Sequence, residues 1–226
     1  MEIEPIAYFR SPFPDKFGIP RQAGLSPSLR GQIVFEPGFR SQDAVRGLEG
    51  FDYIWLIWGF SANPVTAPAD KTRFQPTVRP PRLGGNERIG VFASRSPFRP
   101  NSLGLSAVKL ESIGEGPVVN VLGADLMDGT PIYDIKPYLK YADSHPDARA
   151  GFVDEYDWEP LRVSFPDGPF PEGLDKEALG EVLSQDPRPR YHSDARKVYG
   201  MCFEGFDVRF RVEDGIVLVV SIEKIR

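Results

Sequence analysis

Two arginines four positions apart carry the strongest chemical signal in the sequence. Arg95 precedes a Ser-Pro pair and Arg99 precedes a Pro-Asn pair, so each guanidinium stands beside a rigid corner of the chain. A planar guanidinium on a stiff loop is suited to binding a carboxylate or a phosphate through two hydrogen bonds. We therefore expect this segment to recognise an anionic group, held in place by the apolar stretches on either side of it.

Both arginines belong to a basic stretch within an acidic protein. The 226-residue chain has a formal net charge of −5, yet residues 71–109 contain eight basic residues and the single acid Glu87. Solvated surface arginines are normally interspersed with acids. The clustering therefore favours a stripe that faces phosphate groups, provided that the fold brings these residues together.

The chain contains few residues that could form a metal site or a catalytic nucleophile. The histidines are His145 and His192 and the one cysteine is Cys202, so neither a zinc centre nor a Cys-His nucleophilic pair is expected. Both histidines stand in loop-like sequence and are expected to be exposed. Cys202 lies between Met201 and Phe203, and we expect it to pack as a small apolar group.

Phosphate-binding glycine motifs are missing from the sequence as well. Gly114 and Gly116 are followed by Pro117 and a strand-like run, whereas such a motif needs a helix N-terminus to hold phosphate. This excludes a doubly wound fold that binds its cofactor through such a motif. It does not exclude a cofactor-dependent reaction, because the same chemistry occurs on different folds.

Composition places the chain among globular proteins of one or two domains, with 41% apolar and 26% charged residues. The longest apolar run, residues 53–60, is too short to cross a bilayer and suits a buried strand. Residues 1–5 lack the basic and apolar regions of a secretory signal. The protein is therefore expected in the cytosol, with no membrane association.

Short apolar runs between glycine and proline corners predict a mainly β fold, with a small barrel or compact sheet in the first two thirds. One short helix is expected there, at 41–48, with Ser41 as its N-cap. Trp55, Trp58 and Phe60 are expected in the core. The predicted strands of this part cover residues 32–36, 53–60, 88–94, 103–110 and 117–122.

A polar, proline-bearing stretch at 142–158 predicts a domain boundary. The first domain, residues 1–142, is expected to bind the ligand, and the second, residues 158–226, to be a smaller α+β unit. Asp214 and Gly215 predict a type I′ hairpin turn, because both central residues of that turn need positive φ. The elements predicted for the second domain are a helix at 174–183 and strands at 197–203, 207–212 and 216–223.

Several motifs, in one order along most of the chain, resemble the TsaA/TrmO-like family, also called YaeB-like. The central ones are residues 84–101, which include Arg95 and Arg99, and residues 128–137, which read Asp-Gly-Thr-Pro-Ile-Tyr-Asp-Ile-Lys-Pro. Many motifs in the right order are far more specific than one short pattern. Further matching motifs cover residues 10–12, 20–25, 44–49, 80–85 and 185–189.

The resemblance implies an unusual β-barrel site for S-adenosylmethionine. The longer bacterial members of the family methylate the exocyclic nitrogen of threonylcarbamoyladenosine, beside the anticodon of a threonine tRNA. The expected function is therefore that of an S-adenosylmethionine-dependent tRNA methyltransferase. The resemblance also implies a homodimer with its active site near the subunit interface.

A pocket for S-adenosylmethionine needs an apolar slot, an acid or carbonyl groups, and a cation or backbone donors. Arg95 is expected to hold the cofactor carboxylate, and Leu105 to face its adenine. Simpler roles remain open: turn residues for Gly24, Gly129 and Asp128, and core packing for the leucines. The residues assigned to the cofactor are Ala23, Gly24, Leu25, Ser61, Ala62, Arg95, Leu105, Leu126, Met127, Asp128 and Gly129.

The implied acceptor nitrogen belongs to a ureido group with a delocalised lone pair, so its methylation requires in-line positioning and loss of a proton. Asp134 and Tyr138 are the candidates for handling that proton, with a buried hydrogen-bonded network as their alternative role. Lys136 is a candidate phosphate or carboxylate contact. The residues expected to meet tRNA are Arg79, Arg82, Arg88, Arg99, Lys136, Arg188 and Arg190.

Two other functions remain open from the sequence. A non-catalytic S-adenosylmethionine-binding sensor or partner-binding module would keep the pocket without methyl transfer, and the acidic net charge slightly favours it. A methyltransferase acting on a small molecule or a protein is the other. Incubation with labelled cofactor and cellular RNA separates the three, according to whether label enters RNA, protein or neither.

Overall fold

The computed structural model describes residues 2–62, 75–80, 87–155, 159–189 and 194–225. The α-helices in these ranges are α1 (Lys140–Asp143) and α2 (Lys176–Ser184). Neither is long and apolar enough to span a bilayer. The strands in the same ranges are β1 (Ala7–Arg10), β2 (Arg30–Phe35), β3 (Tyr53–Gly59), β4 (Thr77–Val78), β5 (Ile89–Gly90), β6 (Leu103–Gly114), β7 (Val118–Leu122), β8 (Pro131–Pro137), β9 (Arg162–Ser164), β10 (Tyr199–Phe203), β11 (Phe206–Glu213) and β12 (Ile216–Lys224).

Six antiparallel strands close into a barrel in the order β1-β2-β7-β6-β3-β8, and β8 pairs back to β1. Successive side chains of a strand point to opposite faces, so alternate residues fill the barrel interior. On β3, Ile54, Leu56 and Trp58 are buried inside, while Trp55 and Ile57 lie partly exposed outside. The mainly β barrel fold predicted from the sequence is confirmed. The core position expected for Trp55 is wrong.

A second core lies under a sheet of order β10-β11-β12-β9, which α2 joins through Leu179 and Leu183. Residues from the start of the chain belong to this core as well, since Phe13 and Leu29 are buried in it. The Phe13 ring meets the ring of Phe203 edge-on, with centroids 5.3 Å apart. The segment between β1 and β2 therefore joins the barrel to the second sheet, and the domain limits 1–142 and 158–226 stay a prediction.

The helix expected at 41–48 has the wrong type. The structure has two 3-10 turns there, Gln42–Val45 and Leu48–Gly50, and the side chain of Ser41 makes no cap hydrogen bond. Gly47 separates the turns with φ 88°, in the left-handed region that no continuous helix can include.

The strand expected at 88–94 is shorter than predicted. It ends with β5, and the chain then forms a 3-10 turn at Val91–Ala93. The Arg99 side chain donates to the carbonyl oxygens of Val91 and Ser94 at 3.1 and 2.7 Å, so neither oxygen is left for a partner strand. In the second sheet, by contrast, the predicted turn at Asp214 and Gly215 is confirmed by φ values of 50° and 75°.

Candidate functional site

Arg95 lies exposed just after the 3-10 turn, and its Nη1 donates to Oε1 of Gln22. This hydrogen bond joins the arginine loop to the segment at 20–25, two motifs that are remote in sequence. Arg99 has a different role in the same loop. Its guanidinium holds backbone carbonyls and lies 5.7 Å from the centre of the Phe92 ring, so it stiffens the loop that carries Arg95.

The segment at 20–25 is fixed at two points. The N–H of Gly24 donates to the carbonyl of Gly123 at 2.8 Å, and Nε2 of Gln185 donates to the carbonyl of Leu25 at 3.2 Å. Gly24 has φ 82°, and a Cβ built on it would meet no atom within 4 Å. The backbone at Gly24 therefore borders open space beside Arg95 and Ala23.

Asp125 is the principal site residue that the sequence analysis missed. Its Oδ1 accepts a hydrogen bond of 2.6 Å from the hydroxyl of Ser106, and that hydroxyl accepts one of 3.0 Å from Nε1 of Trp58. Burial raises the pKa of the Asp125 carboxyl, while the Ser106 hydroxyl, the Arg95 charge and the Ala23 backbone act to lower it. The available sequence signal was the position of this acid between two apolar residues, Ala124 and Leu126.

The predicted cofactor residues at 126–129 are largely committed to the fold. Leu126 is 1% exposed in the barrel core, so it offers almost no surface to a ligand. Asp128 accepts a hydrogen bond from the Ser11 N–H at 3.1 Å, and its other oxygen lies 3.5 Å from Nη1 of Arg10. The carbonyl of Met127 accepts from Thr130, and the N–H of Gly129 donates to the carbonyl of Phe9. This turn therefore anchors β1.

The outer face of the barrel carries the predicted proton-handling residues. Ile57 of β3 pairs with Leu105 of β6 on one side and with Asp134 of β8 on the other, and Leu105 is 58% exposed. Lys136 follows Asp134 on the same face, with Nζ 3.1 Å from Oδ2 of Asp134. This exposed face thus combines an apolar surface with an acid and a base.

Tyr138 lies further along this face, packed on aromatic rings. Its ring centre is 5.7 Å from that of Trp55 and 6.1 Å from that of Tyr53. Four residues of extended chain span about 13 Å, so Tyr138 and Asp134 do not form one proton-transfer pair. The structure therefore brings Asp134 and Lys136 together and leaves Tyr138 apart.

The predicted tRNA-binding arginines fall into three groups. Arg79 and Arg88 are exposed and flank the paired residues Val78 and Ile89, so the β4–β5 ribbon places them opposite each other. Arg188 is different, because its side chain is only 15% exposed and donates to both oxygens of Asp186. Arg82 and Arg190 lie outside the described residues.

Ser61 and Ala62 are exposed in the turn that follows β3, and nothing in the structure ties their side chains to Arg95. His145 is exposed as predicted, and His192 lies outside the described residues. Within the described part of the chain, no three His, Cys, Asp or Glu side chains gather to hold a metal ion.

A closed antiparallel barrel of six strands makes this a mainly β protein, distinct from the doubly wound nucleotide-binding folds. The family model of the tRNA-methyltransferase O N-terminal domain matches residues 8–144, and that of the TrmO C-terminal domain matches residues 172–225. The chain therefore belongs to the tRNA-methyltransferase O family, as the sequence motifs indicated.

Individual relatives agree with this assignment. The chain is 40% identical over 235 residues to the tRNA (adenine(37)-N6)-methyltransferase of Escherichia coli, covering 98% of this chain and 97% of that protein. It is also 40% identical over 217 residues to the "Putative S-adenosylmethionine-dependent methyltransferase RcsF" of Pseudomonas aeruginosa, covering 92% of this chain and 91% of that protein. The crystal structure of TrmO from Pseudomonas aeruginosa superposes with a TM-score of 0.76 at 30% identity, covering 98% of each chain.

Proposed function

We propose that this protein is an S-adenosylmethionine-dependent tRNA methyltransferase that modifies N6 of adenosine 37, beside the anticodon. The full-length similarity to an enzyme named for this reaction carries the proposal. We propose further that the acceptor is threonylcarbamoyladenosine in threonine tRNA, that the enzyme works as a homodimer, and that it acts in the cytoplasm, where tRNA is modified.

The residues around Arg95 fit the chemical groups of the cofactor. Arg95 offers a guanidinium to a carboxylate, and the backbone at Gly24 borders open space. The backbone at 126–129 and the exposed Leu105 complete the proposed binding residues, together with Ala23, Leu25, Ser61 and Ala62. S-adenosylmethionine, when bound, supplies an electrophilic methyl group.

The acceptor nitrogen must lose its proton as its bond to the methyl carbon forms, and we assign that proton to the carboxylate of Asp134. Lys136 places its Nζ 3.1 Å from Oδ2 of this carboxylate. One oxygen of Asp134 also accepts the N–H of Ile135 at 2.9 Å, which fixes the orientation of the carboxylate. Tyr138 is better placed to contact the substrate than to take this proton.

Because the net charge of the protein is −5, the phosphates of tRNA must be held by a local group of cations. Arg79 and Arg88 present two exposed cations on one ribbon, which suits two neighbouring phosphates. Lys136 is a further candidate. Arg99 and Arg188 already hold carbonyl or carboxylate groups of the protein itself, so we give them structural roles ahead of phosphate binding.

Single-turnover transfer of label from S-adenosylmethionine to tRNA tests the proposal. Threonine tRNA carrying the threonylcarbamoyl group should be methylated at N6, whereas the same tRNA without the group should react much more slowly. A site built to grip a ureido and carboxylate group leaves its polar groups unpaired when that group is missing. Equal rates on both RNAs would overturn the acceptor, and label in protein or in neither fraction would overturn the tRNA methyltransferase assignment.

A further inference from the structure

A chain of hydrogen bonds runs from the barrel interior to Asp125, beside the candidate cofactor residues. The indole N–H of Trp58 donates to the Ser106 hydroxyl, which donates in turn to Asp125. Trp58 and Ser106 are buried, at 7% and 3% exposure, so their positions are set by barrel packing. The chain therefore holds the Asp125 carboxylate rigidly with respect to the strands.

Asp125 is also coupled electrostatically to the two segments proposed to receive the cofactor. The Ala23 backbone and the Arg95 guanidinium both act on its carboxylate. The neighbouring bond from the Gly24 N–H to the Gly123 carbonyl ties the same loop to the stretch just before Asp125. One carboxylate thus links the barrel wall, the loop at 20–25 and the arginine loop.

An ionised carboxylate is energetically unfavourable at this partly buried position if its role is only structural. Partial burial raises the pKa of Asp125, which means that its surroundings favour the neutral form. An amide side chain of the same shape would accept the Ser106 hydrogen bond without that cost. The hydrogen bond from Ser106 therefore does not itself require a negative charge at this position.

We propose that Asp125 is a positioning residue, whose carboxylate, fixed by Ser106 and Trp58, holds the Ala23 backbone and the Arg95 guanidinium in the arrangement that binds the cofactor. This inference rests on the proposed function. It differs from direct cofactor contact, since Asp125 acts through Arg95 and the loop. It predicts a defect in cofactor affinity and little change in the rate at saturating cofactor.

Asp125→Asn is the main test, with Asp207→Asn as the matched control. Asp207 pairs with the exposed Arg209 on the second sheet and lies outside the proposed site. Asp125→Asn should keep or raise Tm, weaken S-adenosylmethionine binding in calorimetry on the order of tenfold, and raise KM for the cofactor with kcat nearly unchanged. The control should bind as the unaltered protein does.

A second measurement needs no cofactor. The indole N–H resonance of Trp58 should titrate in the free protein as Asp125 gains its proton at a pH above the usual aspartate range, because the Ser106 hydroxyl joins the two groups. Arg95 is the charged group acting on Asp125. Ser106→Ala removes a hydrogen bond that lowers the pKa of Asp125, so the loss of cofactor affinity at acid pH should begin at higher pH.

The outcomes separate this inference from the proposed function. Failure of the unaltered protein to bind S-adenosylmethionine would overturn the proposed function. Normal binding and methylation by the unaltered protein, with equally tight binding by Asp125→Asn, would overturn the positioning role alone. If Asp125→Asn fails to fold, Ser106→Ala provides the test. If its cofactor affinity begins to fall at the same acid pH as that of the unaltered protein, the positioning role is contradicted.

Discussion

Leu105 and Asp134 lie on opposite sides of Ile57, each paired with it across the outer face of the barrel. Two strand spacings separate their Cα atoms by about 10 Å. The residue proposed to face the adenine and the residue proposed to take the acceptor proton therefore share one surface. The buried Ser106 follows Leu105 and points to the other side of β6, where its hydroxyl donates to Asp125. Strand β6 therefore connects the outer surface to Asp125.

Asp134→Asn should fold and bind both ligands but methylate slowly. The amide cannot accept the proton, and general base catalysis contributes about 10²- to 10⁴-fold. Single-turnover rates at saturating cofactor and tRNA provide the measurement, with Lys136→Met as a companion that keeps the carboxylate and should lose less. A fully active Asp134→Asn enzyme would remove this residue from the mechanism.

Arg95→Ala should weaken S-adenosylmethionine binding more than Arg99→Ala does. Loss of a guanidinium–carboxylate pair costs ~1.5–3 kcal/mol, whereas Arg99 acts only by stiffening the loop. Arg99→Ala should instead lower Tm, because it removes one donor from each of the carbonyls of Val91 and Ser94. Calorimetry and thermal unfolding of both variants distinguish the roles, and equal dissociation constants would contradict them.

Arg79→Ala and Arg88→Ala should weaken tRNA binding and reduce its dependence on salt. Removal of one phosphate-binding cation should reduce the steepness of log K against log salt by roughly 0.9. Cofactor affinity should stay unchanged, because both side chains lie on the β4–β5 ribbon. Arg209→Ala, on the second sheet, is the matched control, and a slope equal to that of the control would rule out phosphate binding by the ribbon.

Glu181→Ala should destabilise the protein by ~1–3 kcal/mol. Its carboxylate accepts from the backbone N–H and the hydroxyl of Ser28 at 2.8 and 2.9 Å, which ties α2 to the chain just after the cofactor loop. We also expect a modest loss of cofactor affinity. Glu177→Ala, in the first turn of α2, is the control for helix propensity, and identical Tm values for the two variants would refute the link.

The pH dependence of stability should differ between the unaltered protein and Asp125→Asn. Burial raises the pKa of Asp125 in the folded state, so its stabilising contribution is complete below the unfolded-state pKa and is lost as pH rises through the folded-state pKa. The variant side chain is neutral at every pH. Its advantage over the unaltered protein should therefore grow between acid and neutral pH in chemical denaturation, and a constant difference would contradict the assignment.

Local sequence patterns predicted the barrel because burial alternates along its strands. The apolar run at 53–60 identified β3, and the Asp-Gly pair at 214–215 identified a hairpin. Patterns of this kind do not reveal which hydrogen bonds a polar side chain makes. Arg99 is predicted to meet phosphate, and no pattern indicated that its Nη1 also holds the carbonyls of its own loop.

The candidate site was only partly predictable for the same reason. Arg95 and the segment at 20–25 were found through their motifs, and the structure joins them through Gln22. Asp125 was missed because its partners, Ser106 and Trp58, are remote from it in sequence and come together only when the barrel closes. Trp55 was misplaced because a continuous apolar run does not say which face is exposed.

Burial of Phe13 and Leu29 in the second core affects the order in which the protein matures during synthesis. The ribosome makes these residues early, but the strands that cover them, β10 to β12, only near the end of the chain. Until then the segment between β1 and β2 has no packing partner there, although the barrel strands are already complete. The nascent chain can therefore form a barrel before Gln185 gives the segment at 20–25 its second anchor, so that packing of α2 and the second sheet completes the candidate site.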